Sequence, residues 1–269
     1  MLARFTGKAG GVDDLHIAEY PGPVGLHEAD EIEKNITDVL VERIVSGLTS
    51  SAGAAKSGAQ TARDPRAIVY TGTAEEVDRY FLAQGWSDGL PVVAPTIERV
   101  ERFLRYTDRA PDDEVAILPS ANLRATPWNI AVNGVMAGLR PQHFPLLLAA
   151  VEALADEECR LASIGSSSGI FPYALINGPL ARELGFESGA QFASRGMNPA
   201  FGRAVGLIVK NIAGFRPGAS YMGTFGYPLG VAIAENETDT PWPPFHVDKG
   251  FARTANTVTI GVTNNWGHS

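Results

Sequence analysis

The residue types best suited to chemistry gather in Ala234–Asp248 (AENETDTPWPPFHVD). The apolar run Val231-Ala232-Ile233-Ala234 ends there, and functional groups of open α/β sheets collect beyond the carboxyl ends of strands. Glu235 and Glu237 flank Asn236, so in an extended chain their carboxylates share a face. Two carboxylates held close force one pKa upward, which makes an acid/base pair. The stiff segment Pro241-Trp242-Pro243-Pro244 would hold the loop and bring His246 back toward them, with Trp242 as an anchor against substrate. The same Glu235, Glu237 and His246 could instead hold a divalent metal, although no HExxH motif is present. A solvated acidic loop anchored by Trp242 is the non-functional alternative.

Other candidates are more scattered. Ser166-Ser167-Ser168-Gly169 follows an apolar stretch, and its amides and hydroxyls, Ser167 among them, could cradle an anion or position substrate. It is neither a P-loop nor a nucleophile elbow, since no Gly-Lys-Ser/Thr follows and the downstream IFPYALI reads as extended. Asp88 lies in Ser87-Asp88-Gly89-Leu90-Pro91, where Asp-Gly is turn chemistry as well as a possible cleft wall. Asn129, Asn133 and Asn177 sit in apolar stretches, where a buried amide needs partners. Asn133 and Asn177 are therefore candidate substrate-positioning groups, as is Asn236. Arg203, Lys210 and Arg216 could bind an anion but read more simply as a solvated face. Cys159 is the single cysteine and reads as a small core side chain.

The elements that must position these residues alternate in type. Leu15–Tyr20 reads as a short strand and Glu28–Leu48 as an amphipathic helix, with Ile32, Ile36, Val39, Leu40 and Leu48 at helical spacing. Residues 49–66 are small and polar and read as a flexible linker. The chain thus divides into an N-terminal strand–helix arm (1–48), a linker (49–66) and a main domain (67–269). A strand–helix pair has no core of its own, so the arm is expected to dock on the main domain or on another chain. Main-domain helices are expected over 74–84, 97–106, 127–137, 141–155, 179–184 and 200–212, and strands over 114–118, 161–164, 173–176, 230–234 and 257–262. The fold class is α/β or α+β, a layered domain with a mixed sheet and flanking helices.

Composition narrows the function. The chain has 269 residues, 45% apolar, and a net charge of −8, so counterion release from nucleic acid gives it nothing. A lone cysteine supplies neither an internal disulfide nor a thiolate metal site. There is no dinucleotide fingerprint for a nicotinamide or flavin bound in the standard way. The opening MLARFTGKAGG lacks the apolar core of a secretory leader and the longest apolar run is too short to span a bilayer, so a cytoplasmic location away from the membrane is expected.

Five blocks, WSDGLPVVAPT (86–96), NGVMAGLRPQHFPLLLAAVEAL (133–154), INGPLARELG (176–185), GRAVGLIVKNIAGFRPG (202–218) and the segment 234–250, together resemble a bacterial family of C-terminal regions found with UGSC-type domains. That name denotes a selenocysteine-or-cysteine, Gly, Ser, Cys motif. Residues 20–49 resemble the closing strand and helix of the UGSC-type domain itself, whose remainder is absent. The resemblance implies a heteromeric enzyme in which residues 15–48 clasp a UGSC-type partner subunit that brings a thiol. It departs from this sequence at Leu139, where family members often carry cysteine, and near Ser167, where they carry a Thr-His pair. The expected function is acid–base chemistry on a small molecule by Glu235, Glu237 and His246, with Asp88, Asn133, Ser167, Asn177, Asn236 and Trp242 around the substrate, coupled to redox, lyase or sulfur-transfer chemistry. The alternative is a non-catalytic subunit that stabilises a catalytic partner.

Overall fold

The computed structural model describes residues 15–49, 64–119, 121–165, 169–218, 220, 221, 223 and 230–264. The chain forms two compact units, divided between Arg63 and Asp64. Most of the expected linker, and Ser167, lie outside the described residues.

In the first unit the amphipathic pattern produces α1 (Ala29–Asn35) and α2 (Val41–Thr49), joined through a π-helical stretch, Ile36–Leu40. Within that stretch Thr37 bonds back to the Glu33 carbonyl at 2.9 Å, a contact that competes with the regular helical ladder. No residue of these helices is buried, and Ile36, Val41, Ile44, Val45 and Leu48 are exposed. The expected strand Leu15–Tyr20 has no strand partner among the described residues and is not a strand. It runs along the helices instead. Arg43 donates to the Glu19 carbonyl at 2.6 Å, and Tyr20 meets His27 Nδ1 at 2.9 Å and Asn35 at 3.1 Å.

The second unit opens on Pro65, whose carbonyl accepts from Trp128 Nε1 at 3.1 Å, and Arg66, which pairs with Asp112. The helices α3 (Ala74–Ala83) and α4 (Ile97–Leu104) begin at threonine caps: Thr73, in a reciprocal box with Glu76, and Thr96. A small hairpin, β1 (Ala116–Leu118) with β2 (Leu123–Ala125), leads into α5 (Pro127–Met136), opened by proline and capped by Thr126 and Asn129. Asn129 is therefore a cap, not a cleft residue. Next comes α6 (Phe144–Ala155). The expected strand Leu161–Ile164 is a 3₁₀ segment. Its buried residues are Leu161 and Ile164, three apart, with Ala162 and Ser163 exposed. That is the 3₁₀ period rather than the strand period.

The main sheet has the order β4-β3-β5. The central strand β3 (Ile170–Asn177) pairs in parallel with β4 (Val231–Ala234) and antiparallel with β5 (Thr257–Asn264). Between β3 and β4 lie α7 (Pro179–Glu183) and α8 (Asn198–Asn211), and α9 (Phe245–Asp248) precedes β5. Ala174, Ile176, Ala232 and Ala234 face the core, where α8 packs on β3 and β4 and α6 packs on β5. The small residues let α8 approach closely. A Cβ on Gly202 of α8 would run into the Gly230 carbonyl, and one on Gly230 into that of Gly202. The result is an α/β layered domain with a mixed sheet and flanking helices.

Candidate functional site

Three strand ends meet at one edge of the main sheet. Because β4 is parallel to β3 and β5 antiparallel, the carboxyl ends of β3 and β4 lie beside the amino end of β5. In register, Ile176 stands opposite Ala234, and Asn177 opposite Thr257. This is the strand-end position at which α/β sheets place functional groups.

Glu235 continues the ladder for one residue, its N–H donating to the Ile176 carbonyl at 3.2 Å. The chain then turns tightly, Glu237 N–H donating to the Glu235 carbonyl at 3.0 Å. The two carboxylates thus meet through a turn rather than by strand alternation. The Asn177 amide gathers them, Nδ2 donating to Glu235 Oε2 at 2.5 Å and to Glu237 Oε1 at 3.0 Å. Glu237 Oε1 also accepts from Gly178 N–H at 2.7 Å, and Glu235 Oε2 from Phe245 N–H at 2.8 Å. Gly178 has φ +96°, and a Cβ there would strike the Ala255 carbonyl, so only glycine delivers that amide without strain.

His246, on α9, is 1% exposed. Its Nε2 faces the Arg253 carbonyl at 3.4 Å, and its Nδ1 faces Glu237 Oε1 at 3.8 Å. A carbonyl only accepts, so the contact with Arg253 favours the tautomer with its hydrogen on Nε2. In the neutral ring, Nδ1 is then a lone pair directed at a carboxylate; with a proton added there, the ring becomes the counter-ion of Glu237. Sequence reasoning brought Glu235, Glu237, His246 and Asn177 forward, and the structure assembles all four.

Polar satisfaction is incomplete here. Buried polar atoms are nearly always paired, yet Asn177 Oδ1, His246 Nδ1 and Thr257 Oγ1 are buried with no hydrogen-bond partner. The amide cannot flip to relieve its oxygen, because Nδ2 must face the carboxylates. Thr257 was not foreseen. Only its register opposite Asn177 brings it into play, and strand register is not legible in composition.

Among the described residues no group of three His, Cys, Asp or Glu is set to hold a metal ion. The inner carboxylate oxygens are turned onto N–H donors instead, as the distances above show.

The other candidates lie apart from this cluster. Asn236 binds within its own turn, to Asp239 at 2.9 Å and Thr238 at 3.0 Å. Trp242 is 74% exposed. Asp88 is locked to Arg203 by two 2.8 Å hydrogen bonds, while Arg203 also reaches the Leu90 and Pro91 carbonyls. Burial pushes the Asp88 carboxyl upward, but the bonds and charge of Arg203, with the Leu90 N–H, outweigh it and hold it below the ordinary aspartate range. Asn133 is buried and satisfied, donating to the Asn129 carbonyl at 2.9 Å and accepting from Asn211 at 2.8 Å.

Arg203 and Lys210 do not form a solvated face. Lys210 is buried and donates to the Ser87 carbonyl, as Asn211 does to that of Trp86. Burial lowers the Lys210 pKa, the charge of Arg216 adds to this, and Asp88 partly opposes it. Together these contacts clasp the turn 86–91 against the end of α8. One surface concavity of 320 Å³ is bordered by Pro65, Arg124 and Trp128. It offers no comparable set of unpaired groups, so the strand-end cluster is the better candidate.

No known protein family, curated protein or solved structure matches the chain. No helix among the described residues is long and apolar enough to cross a membrane.

Proposed function

We propose that the chain is a subunit of a heteromeric enzyme that acts on a small molecule by acid–base chemistry, with Glu237 and His246 as the proton-handling pair. The supporting observation is the gathering of three unpartnered buried polar atoms around two carboxylates at a strand-end edge. Glu237 keeps its Oε2 free of hydrogen bonds among the described residues, while Oε1 is held by two N–H donors. A base whose one oxygen is fixed and whose other is open meets the geometric requirement for proton abstraction. His246 Nδ1 then takes or returns that proton on the buried side. Asn177 and Glu235 act as positioning residues, fixing the carboxylate plane.

The N-terminal unit supports the heteromeric part of the reading. Its helix buries nothing of its own, and the extended segment 15–20 has no strand neighbour among the described residues. The resemblance to UGSC-type proteins points to a thiol-bearing partner subunit that the arm would complete. A second reading, a non-catalytic stabilising subunit, draws on Phe245 N–H and Gly178 N–H, since their bonds to the carboxylates stitch the loop as well as orient it.

The test is a mass-spectrometric profile of a metabolite mixture. It is incubated with the chain alone, and with the chain co-expressed with a UGSC-type protein lacking its last strand and helix. A compound consumed by wild type but not by Glu237→Gln or His246→Ala supports the catalytic reading. Equal consumption by wild type and both variants supports the scaffold reading.

A further inference from the structure

The strand-end cluster sets unpartnered polar atoms beside two carboxylates. Asn177 Oδ1 is an acceptor by geometry, because Nδ2 of the same amide holds both carboxylates. His246 Nδ1 lies 3.8 Å from Glu237 Oε1 and is an acceptor in the tautomer that carries its hydrogen on Nε2. Both residues are essentially fully buried, and both atoms lack a partner, as does the Thr257 hydroxyl. Glu235 and Glu237 add negative charge, and no lysine or arginine among the described residues pairs with either. A buried acceptor without a donor costs free energy, and carboxylates held only by neutral N–H groups keep their full negative charge. One ligand group would relieve all of this: a cation carrying several N–H bonds.

We infer that the strand-end cluster binds the ammonium or guanidinium group of its small-molecule ligand, through Asn177 Oδ1, His246 Nδ1 and the carboxylates of Glu235 and Glu237. The inference deepens the acid–base reading above and rests on that reading only in treating the cluster as a ligand site. Charge-assisted N–H···O bonds to carboxylate are the strong class of hydrogen bond. Glu237, only partly buried, leaves the cluster open to solvent on one side.

The full chain, labelled with ¹⁵N, is titrated with methylguanidinium or methylammonium chloride, and separately with sodium acetate, sodium phosphate and sodium chloride at matched ionic strength. The resonances read are the Asn177 side-chain amide and the His246 ring. Saturable shifts with the organic cations alone are expected, weakened about tenfold in Glu237→Gln. Saturable shifts with acetate or phosphate, or cation shifts no larger than those from sodium chloride, overturn the inference. The wild-type comparison decides the matter even if the variant folds poorly. Cation binding with turnover unaffected by His246→Ala removes the acid–base reading and leaves the ligand class standing. Turnover abolished by His246→Ala with no cation binding does the reverse.

Discussion

The side-chain amide of Asn177 donates to both Glu235 and Glu237 and leaves its own oxygen without a donor. Replacing that NH₂ by oxygen, as in Asn177→Asp, keeps the shape but sets a third carboxylate against two others. Two bonds to charged groups are lost and a buried repulsion is gained, a cost of about 3 kcal/mol. Urea denaturation should show this loss, and consumption of the substrate found by metabolite profiling should cease. Stability equal to wild type would show that the amide does not hold the carboxylates.

Asp88 and Arg203 form a largely buried two-point pair. Removing one partner leaves the other uncompensated, so Asp88→Ala or Arg203→Met should each cost about 3 kcal/mol. The double variant should cost less than the sum of the two. The Asp88 pKa is depressed on folding, so its contribution is complete above the ordinary aspartate value and disappears as pH falls through the lower, folded value. Acid denaturation of Asp88→Asn should therefore lack one component of the wild-type pH dependence.

Lys210 shifts in the same direction as Asp88, but here burial disfavours the charged form. Its pKa is depressed by burial, so between the folded value and the ordinary lysine value the unfolded chain binds more protons than the folded one. Stability then rises with pH across that window. Lys210→Met should remove this alkaline rise. At neutral pH it should change stability by roughly 1 kcal/mol, because the Ser87 carbonyl loses its donor while a buried charge is removed. Equilibrium unfolding from pH 7 to pH 10 reads both effects.

Cys159 is buried, and burial first, then the charge of Asp156, pushes its thiol up to about 11. Thiolate is the reactive form. A disulfide reagent at pH 8 should modify the native chain hundreds of times more slowly than the chain in denaturant. Rapid native labelling would contradict the buried placement.

Gly202→Ala should destabilise the domain by roughly 3 kcal/mol, since a methyl group at this backbone contact forces helix and strand apart. The measurement is chemical denaturation, with Ala204→Ser on the same helix as a comparison.

The sequence discloses the helices of the second unit well, because their signals are local. Thr96 caps α4, prolines open α5 and α6, and apolar residues recur at helical spacing. The 3₁₀ segment Leu161–Ile164 reads wrongly as a strand, since four residues cannot separate a period of two from a period of three. Leu15–Tyr20 has strand composition but, among the described residues, no neighbouring strand to make it one. At the site, Glu235, Glu237 and His246 are legible from their density and Asn177 from its apolar setting. Thr257 and the Gly178 amide are not, because their roles depend on the register of β3 against β5. Asp88, Asn133 and Lys210 show the converse. Each is polar in a conspicuous place, and each proves to hold the turn 86–91 or its neighbours.

The Gly202–Gly230 contact has a consequence for evolution of the site. Glu235 lies five residues past Gly230 along a nearly straight run, so its offset from α8 is set by two peptide groups touching with no side chain between them. No rotamer can absorb an error there. A change at either glycine is transmitted undiminished down the strand to the carboxylates. Any adjustment of the carboxylate positions must therefore come from the turn beyond Glu235, not from the contact between α8 and the strand.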